Sequence, residues 1–230
     1  MKIFVLIPAL NEAGNIARVI SDIPRHLQTQ VVVIDNGSAD ATPQTARNAG
    51  AIVLHEPVRG YGRACLRGMA YLMQLPPAQQ PDVVVFIDGD YSDYPAEMPL
   101  LLQPIMLQQA DMAVGSRVLG VRQKGALTPQ QRFGNWLATR ILRLLYGAVY
   151  TDLGPFRAIR WQTLQNLNMQ DRNFGWTVEM QLKAAKAGVK AVEVPVSYRP
   201  RTWGKSKVSG TVKGTFMAGY IILRTLFKHR

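Results

Sequence analysis

The stretch "DVVVFIDGDYSD", residues 82–93, carries five apolar residues in a row into a cluster of acids: Asp88, Gly89, Asp90 and, close behind, Asp93. A short, wholly apolar run of this kind reads as a strand buried on both faces of a parallel sheet. Its polar end must then lie at the sheet's edge. Two carboxylates flanking a glycine can hold a hard divalent cation through oxygen. Mg2+ or Mn2+ bound by few protein ligands keeps water and substrate phosphates in its remaining positions.

Upstream, apolar runs alternate with helical patterns. "IFVLIPA" (3–9) precedes a helix from about Gly14, "QVVVIDNGS" (30–38) a helix after Ala41, and "AIVLHE" (51–56) a helix after Gly62. This alternation predicts βαβ units, hence an α/β fold with a Rossmann-like, mostly parallel sheet flanked by helices. Ligands of such sheets bind at the carboxyl ends of the strands. Asn11, Glu12, Asp35, Asp88 and Asp90 should therefore converge on one crevice.

Composition narrows the partners. Lys and Arg number 27 against 15 Asp and Glu, a formal charge of +12, which favours an anionic partner. No nucleic-acid reader motif accompanies that charge, so nucleic acid is not expected. Cys65 is the single cysteine, which excludes an internal disulfide and a cysteine metal cluster, and His26, His55 and His229 form no zinc or triad pattern. The apolar opening is broken by Pro8, Asn11 and Glu12, unlike a signal peptide. The uncharged runs at 144–151 and 214–223 fall short of the roughly 20 residues that span a bilayer. No transmembrane helix is expected.

The second half has a different texture. In "RFGNWLATRILRLLYGAVY" (132–150), Leu137, Ile141, Leu144, Leu145 and Ala148 recur at helical spacing while Arg132, Arg140 and Arg143 leave that stripe. This helix packs on the core or lies on a membrane. "VKGTFMAGYIILRTLFKHR" (212–230) is apolar nearly all round before it turns basic, suiting burial, self-association into a homo-oligomer, or an anionic lipid interface. "YRPRTWGKSK" (198–207) suits a phosphate clamp, with Gly204 to bend, Trp203 to cover, and Arg199, Arg201, Lys205 and Lys207 as counter-charge.

Taken in order, "VLIPALNE", "VVIDNGSADAT", "RGYGRA", "FIDGD" and "AVGSR" resemble family 2 glycosyltransferases, whose nucleotide-sugar-binding fold is called GT-A. "GNWLATRIL", "TDLGPFRAI" and "YRPRTWGKSK" extend the resemblance toward the polyprenol-phosphate (dolichol-phosphate) sugar transferases, over almost the whole chain. The resemblance implies that Pro8, Asn11 and Glu12 lie along the nucleotide, that Asp35 accepts a hydrogen bond from the base, and that Asp88 and Asp90 coordinate Mg2+ or Mn2+ on the diphosphate. It also places Gly62, Gly89, Ser116, Arg157, Arg199, Arg201, Lys205, Ser206 and Lys207 at the nucleotide sugar. Tyr61 stands where relatives often carry Lys, Ser92 where they often carry Gln, and "DLGPFR" replaces the more usual Ser-Gly-Phe-Arg form.

The implied reaction is an inverting, metal-dependent transfer from a UDP- or GDP-sugar to a polyprenyl phosphate. Negative charge grows on the leaving diphosphate, and the cation together with Arg117 and the clamp cations would stabilise it. A lipid phosphate, with a second pKa of about 6, is already a nucleophilic dianion. A hydroxyl acceptor, as in envelope polysaccharide or glycolipid synthesis, instead needs a general base, for which Asp152 and Glu179 are the candidates. A sugar-phosphate nucleotidyltransferase is disfavoured because "PALNEAGN" lacks its Gly-rich basic loop, and a noncatalytic polyanion binder is the remaining alternative. The expected organisation is one domain, 1–120 holding the donor and 121–230 the acceptor, at the cytoplasmic face of a membrane without crossing it.

Overall fold

The computed structural model describes residues 1–204. A seven-stranded sheet runs in the order β3-β2-β1-β4-β6-β5-β7. The strands are β1 (Ile3–Ala9), β2 (Gln30–Asp35), β3 (Ile52–His55), β4 (Val83–Phe86), β5 (Met112–Ser116), β6 (Arg157–Arg160) and β7 (Ala191–Pro195). All neighbours are parallel except β6, which runs antiparallel to both β4 and β5. The expected mostly parallel α/β sheet is therefore what forms.

The apolar runs are continuous because both faces of the sheet are covered. All seven residues of β1 and all four of β4 are buried. Ile3, Val5, Ile7, Val33, Val83 and Val85 face one layer, with Ile16, Val19, Ala46, Leu101, Leu102 and Ile105. That layer is built by α1 (Ile16–Ser21), α2 (Thr42–Asn48) and α4 (Met98–Met106). The alternate residues Phe4, Leu6, Val32, Ile34, Val84 and Phe86 face Ala64, Cys65, Met69, Leu72, Leu164, Trp176 and Met180. Those come from α3 (Tyr61–Gln74), α6 (Trp161–Asn166) and α7 (Trp176–Lys186).

Helix α5 (Pro129–Tyr146) shows sequence-level control of its ends. Thr128 and Gln131 form a reciprocal capping box, Pro129 follows the cap, and Gly147 closes the helix at φ 65°. Its inner face differs from the expected stripe. Ala138 and Leu142 pack with Leu153, Val178 and Leu182, and Ile141 joins them partly buried. Leu144 is 84% exposed, as are Phe133 (62%) and Trp136 (53%) on the same outward side. The reason is that α5 rests on α7 and the 153 region along a narrow seam, so a wide apolar surface cannot be covered by it alone. The other boundary difference is minor: α3 begins at Tyr61, a residue before Gly62.

Strand register positions the acids. Leu6 of β1 pairs with Phe86 of β4, and Ala9 pairs with Asp35 of β2. Asp88 and Asp35 thus leave the sheet at the same edge as Asn11 and Glu12. No described helix is long and apolar enough to cross a membrane.

Candidate active site

Arg201 brings Glu12 and Asp90 together, and Asp88 lies on the same loop as Asp90. The Tyr61 hydroxyl donates to Asp88 Oδ1 at 2.9 Å. Asp90 Oδ1 accepts from the Ser92 amide at 2.9 Å, and Asp90 Oδ2 accepts from Arg201 Nη2 at 2.9 Å. Arg201 also pairs with Glu12, whose other oxygen accepts from Asn15 Nδ2 at 3.0 Å. A Cβ at Gly89 would lie in ordinary contact with its surroundings, 3.4 Å from the Pro8 carbonyl oxygen. Tyr91 is held at φ 61°, a strained conformation for an aromatic residue, and redirects the chain after Asp90.

The electrostatics identify the pair as short of positive charge. Burial, and then the neighbouring Asp90, push the Asp88 carboxyl up to about 7, against the Tyr61 hydrogen bond, Arg201 and Arg117, which lower it. A divalent cation would supply what is missing, so the donor set fits Mg2+ or Mn2+. Asp88 and Asp90 would hold it, leaving positions for phosphate oxygens. Asp90, also joined to Arg201, has lone pairs left to share.

On the nucleotide side, Asp35 accepts from the Ser38 amide (3.1 Å) and approaches His55 Nδ1 (3.1 Å). Asn11, at φ 52°, receives the Ala39 amide on its side-chain oxygen at 2.7 Å. Pro8 is buried in β1 beside Ile34. These residues line the crevice edge between β1 and β2.

The clamp folds back onto α1. Thr202 donates to Asn15 Oδ1 at 2.9 Å, Asn15 Nδ2 donates to the Trp203 carbonyl at 3.2 Å, and the Trp203 ring covers Gly14 so closely that a Cβ would sit 2.7 Å from it. Gly204 follows at φ 75°. Lys205, Ser206, Lys207 and the 212–230 segment lie outside the described residues.

Several expected contacts are redirected by packing. Arg157 is fully buried and donates to the carbonyls of Leu153, Gly154 and Thr177, which leaves it shaping the 152–154 loop instead of reaching a phosphate. Arg199 donates to the carbonyls of Tyr91 and Asp93, with its guanidinium 3.5 Å from the Tyr91 ring centroid. The Gly62 amide donates to the Asn173 carbonyl at 3.1 Å, and a Cβ there would collide with the Asp171 carbonyl oxygen, so Gly62 serves loop packing. Ser116 is buried and bonded to Thr151 Oγ1 at 2.7 Å.

Both candidate bases are likewise engaged. Asp152 takes three bonds from Arg117, through its amide (2.7 Å), Nε (2.8 Å) and Nη2 (2.7 Å). Burial alone would lower the Arg117 pKa, but Asp152 outweighs it and raises it. Glu179 accepts the amides of Gln170 and Asp171 and pairs with Lys183 at 2.7 Å. That bond pattern holds the 170–173 loop against the start of α3.

Three residues of this site were not assigned from sequence. Tyr61 fixes Asp88; Glu193 of β7 holds the amides of Thr151 and Asp152; Asp93 is taken up below. Two had a signal: Asp93 in its place behind the acids, and Tyr61 in standing where relatives often carry Lys. Away from this edge, a cavity of about 380 Å3 opens among Ile20, Arg25, Gln30 and Ile52 at the amino ends of β2 and β3, and it contains no acid.

Similarity to known proteins agrees with this geometry. Residues 4–167 match Glycosyl transferase family 2. A glycosyltransferase of Mycobacterium tuberculosis is 34% identical over 216 residues, covering 93% of each chain. Dolichyl-phosphate hexose transferase of Haloferax volcanii is 30% identical over 224 residues, 95% of this chain and 91% of that one. Undecaprenyl-phosphate mannosyltransferase of Micrococcus luteus is 27% identical over 228 residues, 93% and 90% respectively. Among solved structures, glucosyl-3-phosphoglycerate synthase from M. tuberculosis, crystallised with Mn2+, UDP and glucosyl-3-phosphoglycerate, superposes with a TM-score of 0.75 at 23% identity, over 99% of this chain and 79% of that one. At that identity the likeness establishes the fold. The strand-end acids, the sheet that presents them and the family match over most of the chain converge: this protein belongs to glycosyl transferase family 2 and is a glycosyltransferase.

Proposed function

We propose that the chain moves a hexose from a UDP- or GDP-sugar, bound through Mg2+ or Mn2+ on Asp88 and Asp90, to the phosphate of a polyprenyl lipid at an anionic membrane surface. One observation carries the choice of acceptor. Asp152 and Glu179, the candidates for a general base, are fully buried and committed to Arg117, Lys183 and backbone amides. Neither is free to serve a hydroxyl acceptor, and Asp93, the other buried acid of the site, is assigned below to the donor sugar, whereas a phosphate dianion brings its own nucleophile.

The remaining residues have roles consistent with that reaction. Asp35, Asn11 and Glu12 line the nucleotide, each Asp35 oxygen retaining a lone pair for the base. When bound, the cation neutralises the diphosphate. Arg117, oriented by Asp152, and Arg201, carried by the clamp, add fixed positive charge where the leaving group develops its own. Attack from the opposite face of the sugar inverts the anomeric centre. The outward face of α5, with Phe133, Trp136 and Leu144 beside Arg132, Arg140 and Arg143, suits a lipid headgroup layer. The names of the M. luteus and H. volcanii relatives support the lipid-phosphate reading. In this arrangement 1–120 bind the donor and 121–230 meet the acceptor.

The test is transfer from a panel of UDP- and GDP-hexoses, with Mn2+, to undecaprenyl phosphate and, in parallel, to undecaprenol. Glycosylation of the phosphate alone, inverted by NMR, is expected. Transfer to the alcohol with none to the phosphate would overturn the acceptor assignment.

A further inference from the structure

Asp93 is 2% exposed, yet neither carboxylate oxygen has a hydrogen-bond partner. Among the described residues only Trp176 and Gln181 share that property, each through a single side-chain atom. Leaving a buried polar group unpaired is unfavourable, and where a native chain tolerates it a ligand is a natural explanation. The backbone around Asp93 is fixed. It bridges Tyr198 and its carbonyl accepts from Arg199, so the side chain is held in place rather than left to find a partner.

The sheet order says what lies in front of it. Nucleotide residues sit over β2 and β1, and the diphosphate acids follow at the end of β4. Beyond them β6, which is antiparallel, begins at this edge, and β5 and β7 end there beside Arg117 and Tyr198, with the Arg117 guanidinium 5.0 Å from the Tyr198 ring centroid. Asp93 belongs to this third region. Its carboxyl feels Asp88, Asp90 and Arg117, and burial first, then those two acids, raise its pKa. A nucleotide sugar laid along this line brings its hexose to Asp93 and Arg117.

We infer that Asp93 is a donor-specificity residue whose two free oxygens accept hydrogen bonds from hydroxyls of the transferred hexose, with Arg117 donating on the same side. The inference rests on the nucleotide-sugar reading above but not on the acceptor. A neutral polyol suits a carboxylate beside a guanidinium, because each hydroxyl can donate to one and accept from the other.

Binding without turnover separates the possibilities. Affinities of the wild-type, Asp93→Asn and Asp93→Ala proteins are measured with Mn2+ for UDP, GDP, UDP-glucose and GDP-mannose, and for the donor that binds, with each hexose hydroxyl replaced in turn by hydrogen. Asp93→Ala should weaken the nucleotide sugar about tenfold to a hundredfold and the free nucleoside diphosphate less than twofold. The loss on Asp93→Ala should be smaller for the deoxy donors that lack a hydroxyl facing Asp93 than for the others. Melting temperatures should hold or rise, since an unpaired buried carboxylate is removed. An equal loss for the free diphosphate, no loss for the sugar, or a loss spread evenly over all deoxy donors would each overturn the inference. Failure of every wild-type nucleotide sugar to bind would instead bring down the donor reading, and this inference with it. The isosteric Asp93→Asn, keeping one acceptor oxygen, should lie between the other two.

Discussion

Arg201 donates to Asp90 Oδ2 at 2.9 Å, so the clamp segment and the acid loop are joined by an ion pair before any substrate is in place. The guanidinium sits where a diphosphate-bound cation would also draw on Asp90. Two cationic demands on one carboxylate couple clamp position to the state of the site.

Removing Arg201 should separate those roles. Arg201→Ala should lower kcat/KM about tenfold to a thousandfold, the range for losing one group aimed at developing negative charge. It should leave Mn2+ affinity in the presence of nucleoside diphosphate undiminished. Unchanged steady-state kinetics at limiting donor would remove Arg201 from the mechanism.

Asp88→Ala and Asp90→Ala should each abolish metal-dependent transfer while the far-ultraviolet circular dichroism stays native, because neither side chain supports the core. Retention of full activity in the presence of chelator would contradict the cation assignment.

Asp88 also sets a pH dependence. Its native pKa, about 7, lies above the unfolded value near 3.8, so the native state binds more protons between those limits. Stability of the cation-free protein should therefore fall as pH rises from about 4 to about 7, and this slope should shrink in Asp88→Asn, with the buried Asp93, whose pKa is also raised, contributing to what remains. A cation must displace that proton, so Mn2+ affinity should rise with pH up to about 7 and then level. Thermal melts across pH, with and without Mn2+, check both signs.

Asp152→Ala should act on stability as well as rate. Breaking a buried pair by removing one partner costs about 3–5 kcal/mol, here leaving Arg117 uncompensated. Chemical denaturation measures it. A stability loss below about 1 kcal/mol would mean that Asp152 is not a structural partner.

The outer face of α5 predicts a salt-sensitive membrane interaction. Replacing Phe133, Trp136 and Leu144 with Ser should reduce cosedimentation with phosphatidylglycerol vesicles at low salt. Stability should change by roughly 0.5 kcal/mol or less per site, as is usual for exposed positions. Arg140→Glu, which also removes a cation near the Trp136 ring (5.7 Å), should do the same through charge. Equal sedimentation of all variants would exclude this face as the contact.

Much of the fold was legible because its signals are local. A run such as 83–87 followed by acids needs no distant information to be read as a buried strand delivering carboxylates, and the register of β1 with β2 and β4 then brings Asn11, Glu12, Asp35, Asp88 and Asp90 to one edge. The capping box of α5 is equally local. Its buried face was not, since spacing names an apolar stripe without saying which part a neighbour covers.

By itself, then, the chain's order of residues determined the sheet and the acid loop. Tertiary structure alone decided the fates of the charged groups in the second half. Arg157 became a brace for carbonyls, Arg199 a stack on Tyr91, Asp152 and Glu179 anchors, and Asp93 a buried acid with open valences. The physical reason is that a charge's role depends on which donors, acceptors and low-dielectric walls surround it, and those arrive from positions far away along the chain.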